Sequence, residues 1–132
     1  MMTFKTEEDL RREKKAIDLF VKTFGGTYQK LDSSDVNFKV FDKNKNLIAY
    51  AEVVSRVRIM RDAYPLPVQA RKVVKLTEKR IAPVVIWSCD DGIIYGTVNR
   101  MIGEIKWVKS PPDGEMMVYY EKQRALKYVR FS

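Results

Sequence analysis

The sequence predicts an α/β or α+β fold, a β-sheet with helices packed against it. Three observations carry that expectation. Apolar residues recur at helical spacing over 6–26, apolar runs of strand length stand at 35–41, 47–56 and 84–89, and a second helical spacing fills the stretch 68–80.

The first element is the helix of 6-TEEDLRREKKAIDLFVKTFGG-26. Thr6 can cap it, acids in its first turn suit the positive helix end, and Leu10, Ile17, Phe20, Val21 and Phe24 mark its apolar side. Gly25-Gly26 stops it. Two extended segments follow, 27-TYQKL-31 and 35-DVNFKVF-41, the second alternating Val36, Phe38 and Val40 with Asp35, Asn37 and Lys39. The polar turn 43-KNKN-46 folds 47-LIAYAEVVSR-56 back on the Asp35 strand as an antiparallel hairpin. An irregular basic segment, 56–67, leads to the helix expected over 68-VQARKVVKLTEKR-80, and Pro83 prevents its continuation. Next, 84-VVIWSC-89 reads as a buried strand, Asp90-Asp91-Gly92 as a tight turn and 93-IIYGTV-98 as its hairpin partner. Beyond Asn99 the signals weaken: 111-PPDG-114 is a turn, 115-EMMVYY-120 an edge strand, and 121-EKQRALKYVR-130 a short basic helix or strand.

At 132 residues the chain is expected to form one domain, since a single core uses about 100–200 residues. Its hydrophobic fraction of 45% beside 32% charged residues suits a globular protein. No apolar run approaches the ~18 residues of a membrane span, and 1-MMTFKTEEDLRREKK-15 lacks the apolar core of a signal peptide, so a cytoplasmic location without a membrane partner is expected. Cys89 is the single cysteine, which leaves no intramolecular disulfide. Histidine is absent. Imidazole-dependent nucleases, Ser-His-Asp hydrolases and Cys-His proteases are thereby excluded, and any catalysis must rest on carboxylates, lysines or a hard metal ion. A formal charge of +8 points to a polyanionic partner such as nucleic acid.

Chemistry is concentrated on the central hairpin. Residues two apart on a strand share a face, so Asp35, Asn37 and Lys39 make one row and Tyr50, Glu52, Val54 and Arg56 another. An Asp and a Glu converging from adjacent strands can share a magnesium or manganese ion, which polarises a phosphate and activates water. The competing reading pairs Glu52 with Arg56 or Arg58 on an ordinary strand face.

The arrangement resembles the PD-(D/E)xK nuclease superfamily, whose core runs α-β-β-β-α-β, with an Asp opening one strand and E-x-K ending the next. Segment 33-SSDVNFKVF-41 matches the first element with Asp35, lacking the preceding proline, and 50-YAEVVSR-56 matches the second with Glu52. The resemblance covers residues 7–98 and implies a restriction-endonuclease-like central mixed sheet with flanking helices. It also implies a small DNA endonuclease of the Holliday-junction-resolvase or phage-nuclease type, often a homodimer, with Asp35 and Glu52 holding Mg2+ or Mn2+. The departure falls at position 54, where the motif lysine is replaced by Val54. Lys39 on the Asp35 row, or Lys72 or Lys75 on the following helix, can supply the cation, and Gln69 shares a helix face with Lys72 in that reading. Glu8 or Glu13 offers an extra acid, as in some relatives.

Around this centre, Arg56, Arg58 and Arg61 form a basic segment suited to the phosphate backbone. A second group, Lys122, Arg124, Lys127 and Arg130, is mixed with Tyr119, Tyr120 and Tyr128. Two further functions fit the same residues: a nucleic-acid-binding module that has lost cleavage, and a phage-type inhibitor whose charge meets an acidic protein surface.

Overall fold

The structure is a computed structural model that describes residues 6–31, 36–109 and 114–132. The chain runs α1 (Glu7–Lys22), β1 (Thr27–Lys30), β2 (Phe38–Phe41), β3 (Leu47–Ser55), β4 (Leu66–Gln69), α2 (Ala70–Thr77), β5 (Ala82–Ser88), β6 (Gly92–Thr97), β7 (Glu104–Val108), β8 (Glu115–Tyr120) and β9 (Lys127–Arg130). Short 3-10 turns occupy Met60–Asp62 and Val98–Arg100. The expected α+β architecture, with a central mixed sheet flanked by helices, is the one observed. A six-stranded sheet has the order β1-β2-β3-β5-β6-β9, and a three-stranded sheet the order β4-β8-β7.

Helix α1 starts at a capping box: the Thr6 hydroxyl accepts from the Asp9 N–H, and the Asp9 carboxylate accepts from the Thr6 N–H. It ends where Gly25 turns to φ +73°, a conformation that costs glycine little. Its buried side is Glu13, Ala16, Ile17, Phe20 and Val21, whereas Leu10 is exposed. The apolar stripe is therefore rotated from the one expected, and carries Arg12 and Glu13 one turn before Ala16 and Ile17.

Period-two alternation makes the central strands two-faced. In β3, Ala49, Ala51 and Val53 pack with α1, as do Val84 and Ile86 of β5. Tyr50 and Val54 of β3, and Val85 and Trp87 of β5, face the opposite cluster with Leu66, Val68, Leu76, Val118 and Tyr120. That cluster joins the large sheet to α2 and the small sheet. Trp87 is fully buried at its centre and donates its indole N–H to the Pro67 carbonyl at 2.7 Å.

The expected hairpin is present: β2 and β3 are antiparallel with Phe38 opposite Ala51 and Lys39 opposite Tyr50. Strands β3 and β5 run parallel, from Ala49 beside Ala82 to Ser55 beside Ser88.

Two expectations are corrected and a third is narrowed. The helix placed over 68–80 begins at Ala70, because Pro65 and Pro67 hold the preceding backbone extended, and Val68 and Gln69 belong to β4. Segment 115–120 is the middle strand of the small sheet, whose edges are β4 and β7, the latter lacking a clear signal. Of 121–130, only Lys127–Arg130 is regular, as strand β9 beside β6. The turn at 111–114 is described only at Gly114.

Candidate functional site

Glu52 sits mid-way along β3 on the face shared by Tyr50 and Val54. Its neighbour on the parallel side is Val85, and its side chain is 6% exposed. A carboxylate so placed needs a partner, because burying an isolated charge is costly. Lys72 supplies one: its Nζ lies 3.6 Å from Glu52 Oε2, and its side chain is 17% exposed. The ion pair with Arg56 or Arg58 proposed for Glu52 is thus replaced by one with Lys72.

The pair lies in the wall of a cleft of about 400 Å3. Glu52 and Val54 of β3, Pro67 and Gln69 of β4, and Arg71 and Lys72 of α2 line it. Local structure explains the convergence. Pro67 keeps β4 extended up to Gln69, whose φ −65° and ψ 130° begin α2, so Arg71 and Lys72 fall in the first helical turn directly beside β3. Gln69 is the N-cap residue and does not share a helix face with Lys72 in the manner expected. Its amide Nε2 donates to both oxygens of Glu115, at 2.8 and 2.9 Å, tying β4 to β8 at the cleft rim.

The segment leading into β2 is fixed beside Val53, the residue after Glu52. Asn37 is buried, its Oδ1 accepts from the Val53 N–H at 2.6 Å, and its carbonyl accepts from the Leu31 N–H at 2.8 Å. One asparagine thus pins the entry to β2 to both neighbouring segments. Asp35 lies outside the described residues. Among those described, no three metal-ligating side chains converge. Glu52 is a hard oxygen donor of the kind magnesium and manganese accept.

Other expected residues are placed apart from the cleft lining. Lys39 is half-buried opposite Tyr50. Lys75 is exposed and pairs with Glu78 at 4.0 Å. Arg56 is an internal brace: its side chain donates to the Ala63 carbonyl at 2.9 Å and to that of Pro65 at 3.3 Å, and burial, with Arg58 nearby, lowers its pKa. Arg58 and Arg61 are exposed. Arg61 lines a separate pocket of about 430 Å3 with Tyr64, Lys122, Tyr128 and Arg130, so the two basic groups seen in the sequence meet there. Glu8 pairs with Arg11, and buried Glu13 with Lys30 at 3.4 Å.

Arg12 escaped the sequence reading. From α1 it donates to Ser55 Oγ, Asp90 Oδ1 and the carbonyls of Arg56 and Ser88, all within 2.9–3.1 Å. Ser88 Oγ returns a bond to the Arg12 carbonyl. The guanidinium therefore clamps the ends of β3 and β5, beyond Glu52. A charged residue four positions before Ala16, on the apolar stripe, was the available signal.

Comparison of the chain with protein-family models, with curated proteins and with solved structures finds no match.

Proposed function

We propose that the Glu52 cleft is a site of metal-assisted phosphodiester hydrolysis on DNA, of the PD-(D/E)xK type, in which Lys72 takes the place of the motif lysine absent at position 54. The buried Lys72–Glu52 pair is the observation that carries this reading. It answers the chief objection raised by Val54, since a cation does reach the Glu52 carboxylate, from α2 instead of from β3. The order α1, β1, β2, β3, α2, β5 also agrees with the α-β-β-β-α-β core, with β4 added before α2.

Glu52 and Asp35 are the proposed ligands of Mg2+ or Mn2+. Such an ion, when bound, polarises a phosphate oxygen and lowers the pKa of water. The chain's own contribution is positional and electrostatic. Lys72 holds positive charge beside Glu52, where it can donate to the attacking water or to a phosphate oxygen and offset charge developing there. Arg71 at the cleft wall, and exposed Arg58 and Arg61 farther along, suit backbone phosphates.

Incubation of the protein with duplex, branched and single-stranded DNA in Mg2+ or Mn2+ tests the proposal. Cleavage is expected, abolished by Glu52→Gln and reduced by about 10²–10³ in Lys72→Met, the usual effect of losing one positioned donor. Absence of cleavage under all these conditions, or a Glu52→Gln variant as active as the native chain, overturns it.

The half-buried apolar Val54 on the same wall favours a second reading, a nucleic-acid-binding module without cleavage. That module would bind DNA with an affinity that falls with salt and ignores magnesium.

A further inference from the structure

Strand β7 is an anomaly among the sheet edges. The outer strands of the large sheet carry polar and charged residues, Gln29 and Lys30 on β1 and Lys127 and Arg130 on β9, a common protection against edge-to-edge association. On the small sheet, Trp87 bonds to Pro67 of β4. The other edge, β7, pairs with β8 in an unbroken register and has no described strand on its outer side. Its sequence is EIKWV, without proline or bulge, and Ile105 and Trp107 are 66% and 61% exposed; Ile102, just before it, is 84% exposed. Such an edge is a template for another strand.

We infer that β7 is the interface of a homodimer, pairing antiparallel with β7 of a second copy about a two-fold axis at Ile105, so that the two small sheets become one of six strands. Charge favours a second copy as the occupant and this register over those with the axis one residue away. With Ile105 on the axis, Glu104 faces Lys106 of the second copy and Lys106 faces its Glu104. Moving the axis to Lys106 or to Glu104 sets like charges directly opposite each other, which is destabilising. The selected register also sets Trp107 against Gly103 of the second copy, an aromatic covering an edge glycine, and Ile102 against Val108. Gly103 has its own reason to lack a side chain, since a Cβ there would come within 2.6 Å of Val118 Cγ1. The two-fold pairing follows from these residues alone and stands apart from the chemistry proposed at Glu52, whose cleft includes β4 at the far edge of the small sheet.

Sedimentation velocity over a concentration series tests the inference, with a matched pair of charge variants. The native chain is expected to dimerise. Glu104→Lys and Lys106→Glu, each placing like charges opposite, should weaken self-association on the order of tenfold or more. An equimolar mixture of the two should recover it, because each strand then meets its complement. Circular dichroism matching the native chain excludes misfolding of the separate variants, and recovery on mixing is beyond the reach of misfolded chains. A native chain that stays monomeric throughout, or a dimer indifferent to both substitutions, overturns the inference.

Discussion

At the scale of single residues, the proposed chemistry turns on the cation beside Glu52, which comes from α2. Val54 occupies the place on β3 where a lysine side chain would lie two residues beyond Glu52, and Lys72 brings its ammonium to 3.6 Å of the same carboxylate from α2. If the two positions address one volume, they are interchangeable in function. Lys72→Met should lose cleavage, and adding Val54→Lys to that variant should restore at least about a tenth of the native rate, a deficit of ~1.4 kcal/mol in the barrier. Single-turnover cleavage under saturating protein measures this. Failure of the double variant to recover, with its fold intact by circular dichroism, would separate the two positions. The same pair tempers any stability argument. A largely buried ion pair spends much of its attraction on desolvation, so the Lys72–Glu52 pair is a weak source of folding stability.

At the scale of elements, the decisive contact is the clamp from α1 to the ends of β3 and β5. Arg12 makes four hydrogen bonds there, two of them to main-chain carbonyls, with a side chain only 16% exposed. Removing it leaves those acceptors without their donor, so Arg12→Ala is expected to cost about 2–3 kcal/mol of stability, measured by urea unfolding, with Arg12→Lys recovering only part of it. Glu52 lies three residues before Ser55 on the clamped strand, so the loss should also loosen the cleft. The elements legible beforehand were those written in local code. The Thr6 cap, the Phe38/Val40 alternation, the Asp90-Asp91-Gly92 turn and the apolar run of β5 each need only their own segment to be read, and each is where it was expected. The errors arose where a distant partner decides. Val68 sits at a spacing that suits a helix and is held in β4 by the two prolines that precede it and by pairing with Val118, fifty residues away in sequence. Strand β7 has an ordinary alternation whose apolar residues remain outside the core, so burial gave no guide to it. Glu52 was found because a carboxylate among β-branched and small residues is unusual. Its partner was one of several helical lysines until the Pro67–Gln69 junction fixed the helix start and singled out Lys72. Arg12 needed the exact rotation of α1, which the exposed Leu10 had obscured.

At the scale of the whole molecule, the core on the α2 side is closed over groups that resist losing protons. Burial, with Asp91 nearby, pushes the Cys89 thiol up to about 12 from an ordinary 9.0. Burial also raises the hydroxyl pKa of Tyr120, and that of Tyr64, which has Tyr128 as a neighbour. These groups stay protonated in the folded chain where the unfolded chain has released its protons. The unfolded state then binds fewer protons, so stability is full below about pH 9 and falls as pH rises through 9 to 12. Urea midpoints at stepped pH should show this decline, with Cys89→Ala flattening its first part, and Cys89 should resist thiol reagents at neutral pH until the chain unfolds. The parallel ladder at the centre carries a kinetic consequence of a different kind. Hairpins such as β2–β3 and β5–β6 can zip from their turns, whereas β3 and β5 can join only after the chain between them has crossed through β4 and α2. Lys72 rides on that crossover. An early folding species can therefore contain the hairpin bearing Glu52 and still hold no cation beside it, so a nascent chain assembles the Glu52–Lys72 pair late, together with the last large step of its own folding.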